Sequence, residues 1–202
     1  MKRILLLAAM TLAAAALARP AIDPNESADT RGHAQRVALV AASFTERRAR
    51  RKHGDRIWVH AQSDVDADRS TIWSTLSDYD HLAQFIPNMS SSRMISRNGA
   101  DVVVEQRGTA GFGPIRQKFT VLLTVREELN ESITVAGVGG DFRYFDARYD
   151  IVPLTPHRSR IVYEATMAPS TPMPSIVSLP VMRSLISSQF GALVQEVSRR
   201  AA

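Results

Sequence analysis

The sequence predicts an α+β domain: a curved antiparallel sheet of about seven strands wrapped around one long C-terminal helix, with two short helices after the first strand. Three observations carry this. Apolar residues recur with period two in successive segments between residues 56 and 167, and short turns separate the segments. Near the end of the chain Met182, Leu185, Ile186, Phe190, Leu193, Val194 and Val197 fall at i, i+3, i+4, i+8, i+11, i+12 and i+15, a continuous helical stripe. The other helical spacing in the domain is brief: Ile72, Trp73, Leu76 and Tyr79, then a single turn over Leu82–Ile86 that stops at Pro87.

The elements follow in order. Ile57, Val59, Ala61, Ser63 and Val65 alternate with Trp58, His60, Gln62 and Asp64, which makes Arg56–Val65 the first strand and turns His60 outward. Asp68 has the chemistry of a helix N-cap, a carboxylate able to accept from the free N–H groups of the first turn. Strands are expected over Ser92–Ser96, Asp101–Thr109, Ile115–Glu127, Ile133–Val138, Phe142–Val152 and Arg160–Met167. Asn98-Gly99 is a strong hairpin turn. Gly108, Gly111, Gly113 and Pro114, then Asn130-Glu131, Gly139-Gly140 and residues 153–159 supply the remaining turns. Such short links imply an antiparallel meander. Pro169, Pro172 and Pro174 mark a stiff crossing, and the long helix is expected after Pro180.

The domain does not begin at residue 1. Met1-Lys2-Arg3 is a basic start, Ile4–Leu17 is a run of about 14 mostly Leu and Ala residues, and Ala16-Leu17-Ala18 offers small residues for cleavage. This reads as a signal peptide cleaved after Ala18, because a membrane span needs roughly 20 apolar residues. The protein is therefore expected in the periplasm or secreted from a bacterial cell. Residues 19–54 read as a basic leader, partly helical over Gln35–Ala49. Arg47, Arg48, Arg50, Arg51 and Lys52 suit an anionic membrane surface, or else serve as a solvated link. The ligand-binding domain is assigned to residues 55–202.

Charge and composition exclude several functions. The 202 residues carry net charge +5, but residues 19–54 alone hold net +4 and residues 55–202 hold net −1. A balanced main domain argues against nucleic acid as a partner. There is no cysteine, hence no disulfide and no thiolate metal site. His33 and His53 precede the domain, His81 and His157 fall in turns, and no metal-ligand or nucleotide-binding motif occurs. Neither a catalytic residue nor a cofactor is assigned.

A sheet of seven strands about 4.8 Å apart spans roughly 30 Å, and a helix with its side chains is only about 10–12 Å across. One helix cannot fill the concave face, so a cavity is expected. The stretch Val65–Pro87 carries Ile72-Trp73, Leu76, Asp78-Tyr79 and Phe85-Ile86-Pro87. In that order and spacing it resembles the START-like (SRPBCC) superfamily, of the polyketide cyclase/dehydrase and coenzyme Q-binding type. Gly140-Asp141-Phe142 and Arg160–Tyr163 resemble its later strands. The chain departs from the family in having Tyr149 where Trp is frequent, and Asp66-Ala67-Asp68 where Ala-Pro often precedes the first helix. The resemblance covers about residues 56–200 and implies the helix-grip fold. It also implies binding or transport of a hydrophobic molecule (a lipid, a quinone or a polyketide-like compound), with a cyclase/dehydrase or a non-ligand interaction module as alternatives.

From the inward phases of the expected elements, the cavity wall is assigned to Phe85, Phe119, Phe145, Tyr149, Tyr163, Met167, Met182 and Ile186. Arg143 shares the phase of Phe145 and is the charged side chain that this phase turns inward, toward a ligand oxygen or toward Glu105 or Asp141, unless it sits at the sheet end in water. The Tyr163 hydroxyl is free to serve either a ligand or the backbone, and Trp73 reads as packing.

Overall fold

The computed structural model describes residues 43–51, 54–112, 115–170 and 175–202. The expected signal peptide, the leader up to residue 42, Lys52, Gly113-Pro114 and Pro172–Pro174 lie outside the described residues. The described chain is part of one compact unit, residues 38–202.

Eight strands form a single antiparallel sheet: β1 (Ser43–Arg51), β2 (Gly54–Val65), β3 (Met89–Asn98), β4 (Asp101–Phe112), β5 (Ile115–Glu128), β6 (Ser132–Gly140), β7 (Phe142–Thr155) and β8 (Arg158–Pro169). Their spatial order is β1-β2-β8-β7-β6-β5-β4-β3. The meander from β3 to β8 is as the short turns imply, and β2 pairs with β8 to bring the two ends of the domain together. After β2 come α1 (Arg69–Leu76), a 3-10 turn (Tyr79–His81) and α2 (Leu82–Phe85). The long helix α3 (Ser175–Ala201) packs against α1, β2 and β4.

Local chemistry explains the joints. Asp68 caps α1, its Oδ1 accepting from the Thr71 N–H at 2.7 Å and the Ser70 hydroxyl at 2.8 Å. Gly108 is needed where α2 runs into β3: a Cβ there would lie 2.5 Å from the Asn88 carbonyl oxygen and 2.8 Å from the Phe119 ring. The same Asn88 carbonyl accepts from the Thr109 N–H at 2.8 Å. Gly140 ends β6 at φ +99°, with no room for a side chain against the Thr120 carbonyl.

Three expectations are corrected. Residues 43–51 are not helical. They pair with β2 from Ser43 opposite Gln62 to Arg51 opposite Gly54, so the strand expected to lead the sheet is covered by an eighth. The unpaired backbone groups on the free edge of β2 outweigh a weak helical pattern that rests on a few residues. Helix α3 starts at Ser175 rather than after Pro180. Pro180 falls in its second turn, where it lacks the N–H that would bond back to the turn before. Finally, β7 is bulged. Phe142 pairs with Pro169 but Tyr144 pairs with Ala168, so one extra residue enters the strand. The strict alternation that placed Arg143 inward breaks there. Phe142 and Phe145 both pack on the core, and Arg143 is exposed.

The core lies between the sheet and the helices. Ile72, Ile161, Val102, Val104 and Val197 are essentially inaccessible. From α3 the helical stripe contributes Ile186, Phe190, Leu193 and Val197.

Candidate functional site

The inward rows of the sheet alternate between large and small side chains. One row reads Ala61, Tyr163, Tyr149, Ile133, Glu127 across β2, β8, β7, β6 and β5. The next reads Val59, Ala165, Ala147, Val135, Val125. Two alanines, Ala165 and Ala147, stand at the middle of this second row, and Ala147 opens onto the space beneath the helices. A cavity of about 150 Å³ results. Its floor is sheet: Val104, Leu123, Val125, Ile133, Val135, Phe145, Ala147, Tyr149 and Tyr163. Its far side comes from Leu76 of α1, Tyr79, Leu82 and Ile86 of the following turns, and Gln189 and Leu193 of α3.

The residues expected at the wall divide into groups. Phe145, Tyr149 and Tyr163 line the cavity. Met167 and Ile186 are buried beside it in the core, at 2% and 6% exposure, without lining it. Phe85 and Phe119 are partly buried against the same core. Phe119 meets Phe142 edge-on with ring centroids 6.2 Å apart, and Phe142 in turn meets Phe145 at 5.6 Å. The side chain of Met182 lies outside the described residues. Arg143 is exposed, so its expected place inside the cavity is withdrawn; the bulge that turns it out was described above. Trp73 packs on the core with its indole N–H buried and unpartnered.

Polar groups reach the cavity at few points. Gln106 donates to the Ser92 hydroxyl at 3.4 Å, and Gln189 of α3 donates to the Pro87 carbonyl at 3.3 Å. Tyr149 and Tyr163 stand opposite one another on β7 and β8, with ring centroids 4.6 Å apart. Phe190 of α3 also stacks on Tyr163, with centroids 6.4 Å apart. Burial raises both tyrosine pKa values, and the neighbouring Tyr149 adds to the shift at Tyr163, so both hydroxyls keep their protons at any physiological pH.

The third tyrosine is tied differently. The Tyr79 hydroxyl donates to Glu127 Oε1 at 2.7 Å, and Arg97 grips the same carboxylate through Nη1 at 2.6 Å and Nη2 at 3.0 Å. Burial and then the Glu127 carboxylate raise the Tyr79 pKa. Tyr79 turns its hydroxyl toward Glu127, which does not itself line the cavity. The set is a fastener that holds the Tyr79 ring in the wall.

Other ties hold the same segment. Asp80 accepts from the Met94 N–H at 2.7 Å, and Asp78 pairs with Arg200 of α3 at 2.9 Å. Among the described residues no cluster of histidine, aspartate and glutamate could hold a metal ion.

Several lining residues were not singled out by sequence reasoning. Tyr79, Leu82 and Gln189 come from turns or from a helix whose rotation is set only by packing. Ala147 and Val135 occupy ordinary inward positions of their strands, and nothing local shows that the space above them stays empty.

Comparison with known proteins follows this geometry. The family model described as polyketide cyclase/dehydrase and lipid transport matches residues 65–193. No curated protein sequence matches this one. Among solved structures, the Zhui aromatase/cyclase from Streptomyces sp. R1128 is similar at TM-score 0.62 and 12% identity, covering 73% of this chain and 96% of its own. A START superfamily protein from Mycobacterium smegmatis is similar at TM-score 0.57 and 19% identity, over 71% of this chain and 96% of its own. A STAR-related lipid transfer protein from Xanthomonas axonopodis is similar at TM-score 0.53 and 12% identity, over 75% and 98%. At these identities the likeness shows the START-like fold.

Proposed function

We propose that this chain, which belongs to the polyketide cyclase/dehydrase and lipid transport family, binds and carries a hydrophobic small molecule in the cavity between sheet and helices without transforming it. The carrying observation is the cavity itself: about 150 Å³, walled by aliphatic and aromatic side chains, with glutamine amides and tyrosine hydroxyls as its polar groups. Acid–base catalysis needs a group that gives or takes a proton near neutrality within reach of the reacting atom. Glu127, the carboxylate that the lining residue Tyr79 touches, is already held by Arg97 and Tyr79. That arrangement favours containment over a cyclase or dehydrase reaction.

The leader extends the reading. Export after cleavage at Ala18 would put the carrier outside the cytoplasm, and Arg47, Arg48, Arg50 and Arg51 lie along the edge strand β1, where an anionic membrane surface would supply or receive the cargo.

The test is binding of an environment-sensitive naphthalene dye. Wild type should take up the dye, and Ala147→Trp, which places an indole in the cavity, should lose uptake while keeping its circular dichroism spectrum. A folded Ala147→Trp protein that binds as wild type does would remove the cavity from the function. Native mass spectrometry of protein from its own host should show a co-purifying neutral molecule, released with unchanged mass after incubation.

A further inference from the structure

We infer that Tyr149 and Tyr163 form a two-donor site for one neutral oxygen, and that the cargo is a compact one- or two-ring ketone, aldehyde or quinone. This rests on the cavity reading above and adds the ligand's chemical class.

The starting point is two hydroxyls that bond to no described residue and yet are not sealed in: among the described residues the buried side-chain polar atom without a partner is Trp73 Nε1. Tyr163 is 7% exposed, and both tyrosines line the cavity. No hydrogen bond joins either hydroxyl to a described residue, and none joins the two to each other. A tyrosine hydroxyl in an otherwise apolar wall is left to bond whatever enters the cavity, water or ligand. Directly opposed residues on adjacent antiparallel strands project side by side, so Tyr149 and Tyr163 present two hydroxyls on the same face, beside the cavity. A single acceptor oxygen entering the cavity between them takes a hydrogen bond from each.

The charge of that oxygen follows from the walls. None of the lining residues is lysine, arginine or histidine. A carboxylate placed there would be a buried anion with no cation to balance it, which is far costlier than a neutral carbonyl. A free fatty acid is therefore a poor match and an uncharged carbonyl a good one. Size narrows the class further. A dry cavity of about 150 Å³ in another protein accommodates benzene, so the 150 Å³ here takes one or two rings and not a diacyl lipid.

Three bicyclic ligands of one shape test this by isothermal titration calorimetry on the full chain: indane, 1-indanone and indane-2-carboxylate. The ketone should bind roughly 30-fold more tightly than indane, from two net hydrogen bonds worth about a factor of five each. The carboxylate should bind more weakly than either. In Tyr149→Phe/Tyr163→Phe the ketone and indane should bind within about two-fold of each other. The carbonyl stretch of 1-indanone bound to wild type should fall below its value in hexane, a reading that does not depend on the variant folding. Equal affinities for indane and 1-indanone in wild type, a ketone preference that survives the double substitution, or an unshifted carbonyl stretch would each overturn the two-donor site while leaving the cavity as a binding site. Failure of all three ligands to bind would overturn the cavity reading and this inference with it. Tightest binding by the carboxylate would overturn the neutral-oxygen assignment.

Discussion

Replacing Arg97 by Met strips the buried Glu127 of its cation. The Glu127 side chain is 5% exposed and accepts three hydrogen bonds, two from Arg97 and one from Tyr79. After Arg97→Met one neutral donor remains for a carboxylate out of reach of water. Breaking a buried pair in this way costs about 3–5 kcal/mol. Tyr79→Phe leaves the Arg97 grip intact and removes one bond to a charged acceptor, costing about 1.5–3 kcal/mol. Replacing all three at once, as Tyr79→Phe/Arg97→Met/Glu127→Leu, removes the charges together with their desolvation and should cost less than Arg97→Met alone. For a chain of this length about 1 kcal/mol moves Tm by roughly 2–4 °C, so Arg97→Met should melt roughly 6–20 °C early. Urea denaturation followed by circular dichroism at pH 7, with a common slope, measures all three. Arg97→Met within about 1 kcal/mol of wild type, or a triple variant as unstable as Arg97→Met, would refute the claim that this fastener holds the cavity wall by charge pairing.

Val197 is fully buried on the sheet-facing stripe of α3, so Val197→Asp should leave no cooperative unfolding transition at 25 °C, whereas Gln195→Asp, on the exposed side, should shift Tm by no more than a few degrees. Arg199 and then Arg200 hold the Glu196 carboxyl down to about 2, against an ordinary value of 4.5. A pKa lowered by folding stabilises the fold fully above the ordinary value and ceases to do so as pH falls through the lowered one. Wild type should therefore exceed Glu196→Gln in stability at pH 6, with the gap closing between about pH 4.5 and 2; a gap unchanged at pH 2 would contradict the pairing. In the export host, Ala18→Trp should block processing, and mass analysis that finds an intact Met1 on wild-type protein from the periplasm would revive a membrane anchor.

Much of the fold was legible because it is set by neighbours in sequence. The alternation over residues 57–65, the Asp68 cap, the Asn98-Gly99 turn and the stripe from Leu185 to Val197 each depend on a few adjacent residues, and each is found in the structure. Residues such as Phe145, Tyr149 and Tyr163 followed, since a strand's period alone selects the face they occupy. Arg143 was misplaced for the same reason: a period counts residues, and the extra residue between Phe142 and Tyr144 shows only when β7 is laid against β8.

By itself the sequence determined the class of the fold, the presence of one helix too narrow for its sheet, and the absence of a thiolate or a recognisable catalytic motif. Tertiary structure decided the rest. Whether β2 is an edge depended on an earlier segment competing for its backbone. Whether Glu127 is a catalytic carboxylate or a fastener depended on Arg97 and Tyr79, thirty and forty-eight residues away. That no described residue bonds the Tyr149 or Tyr163 hydroxyl is a fact about every side chain that fails to reach them. Local pattern tells which way a residue points, because that is fixed by the backbone a few bonds away. What it meets there is settled by chain segments whose approach is governed by packing, and a cavity, being the place no side chain reaches, has no residue of its own to announce it.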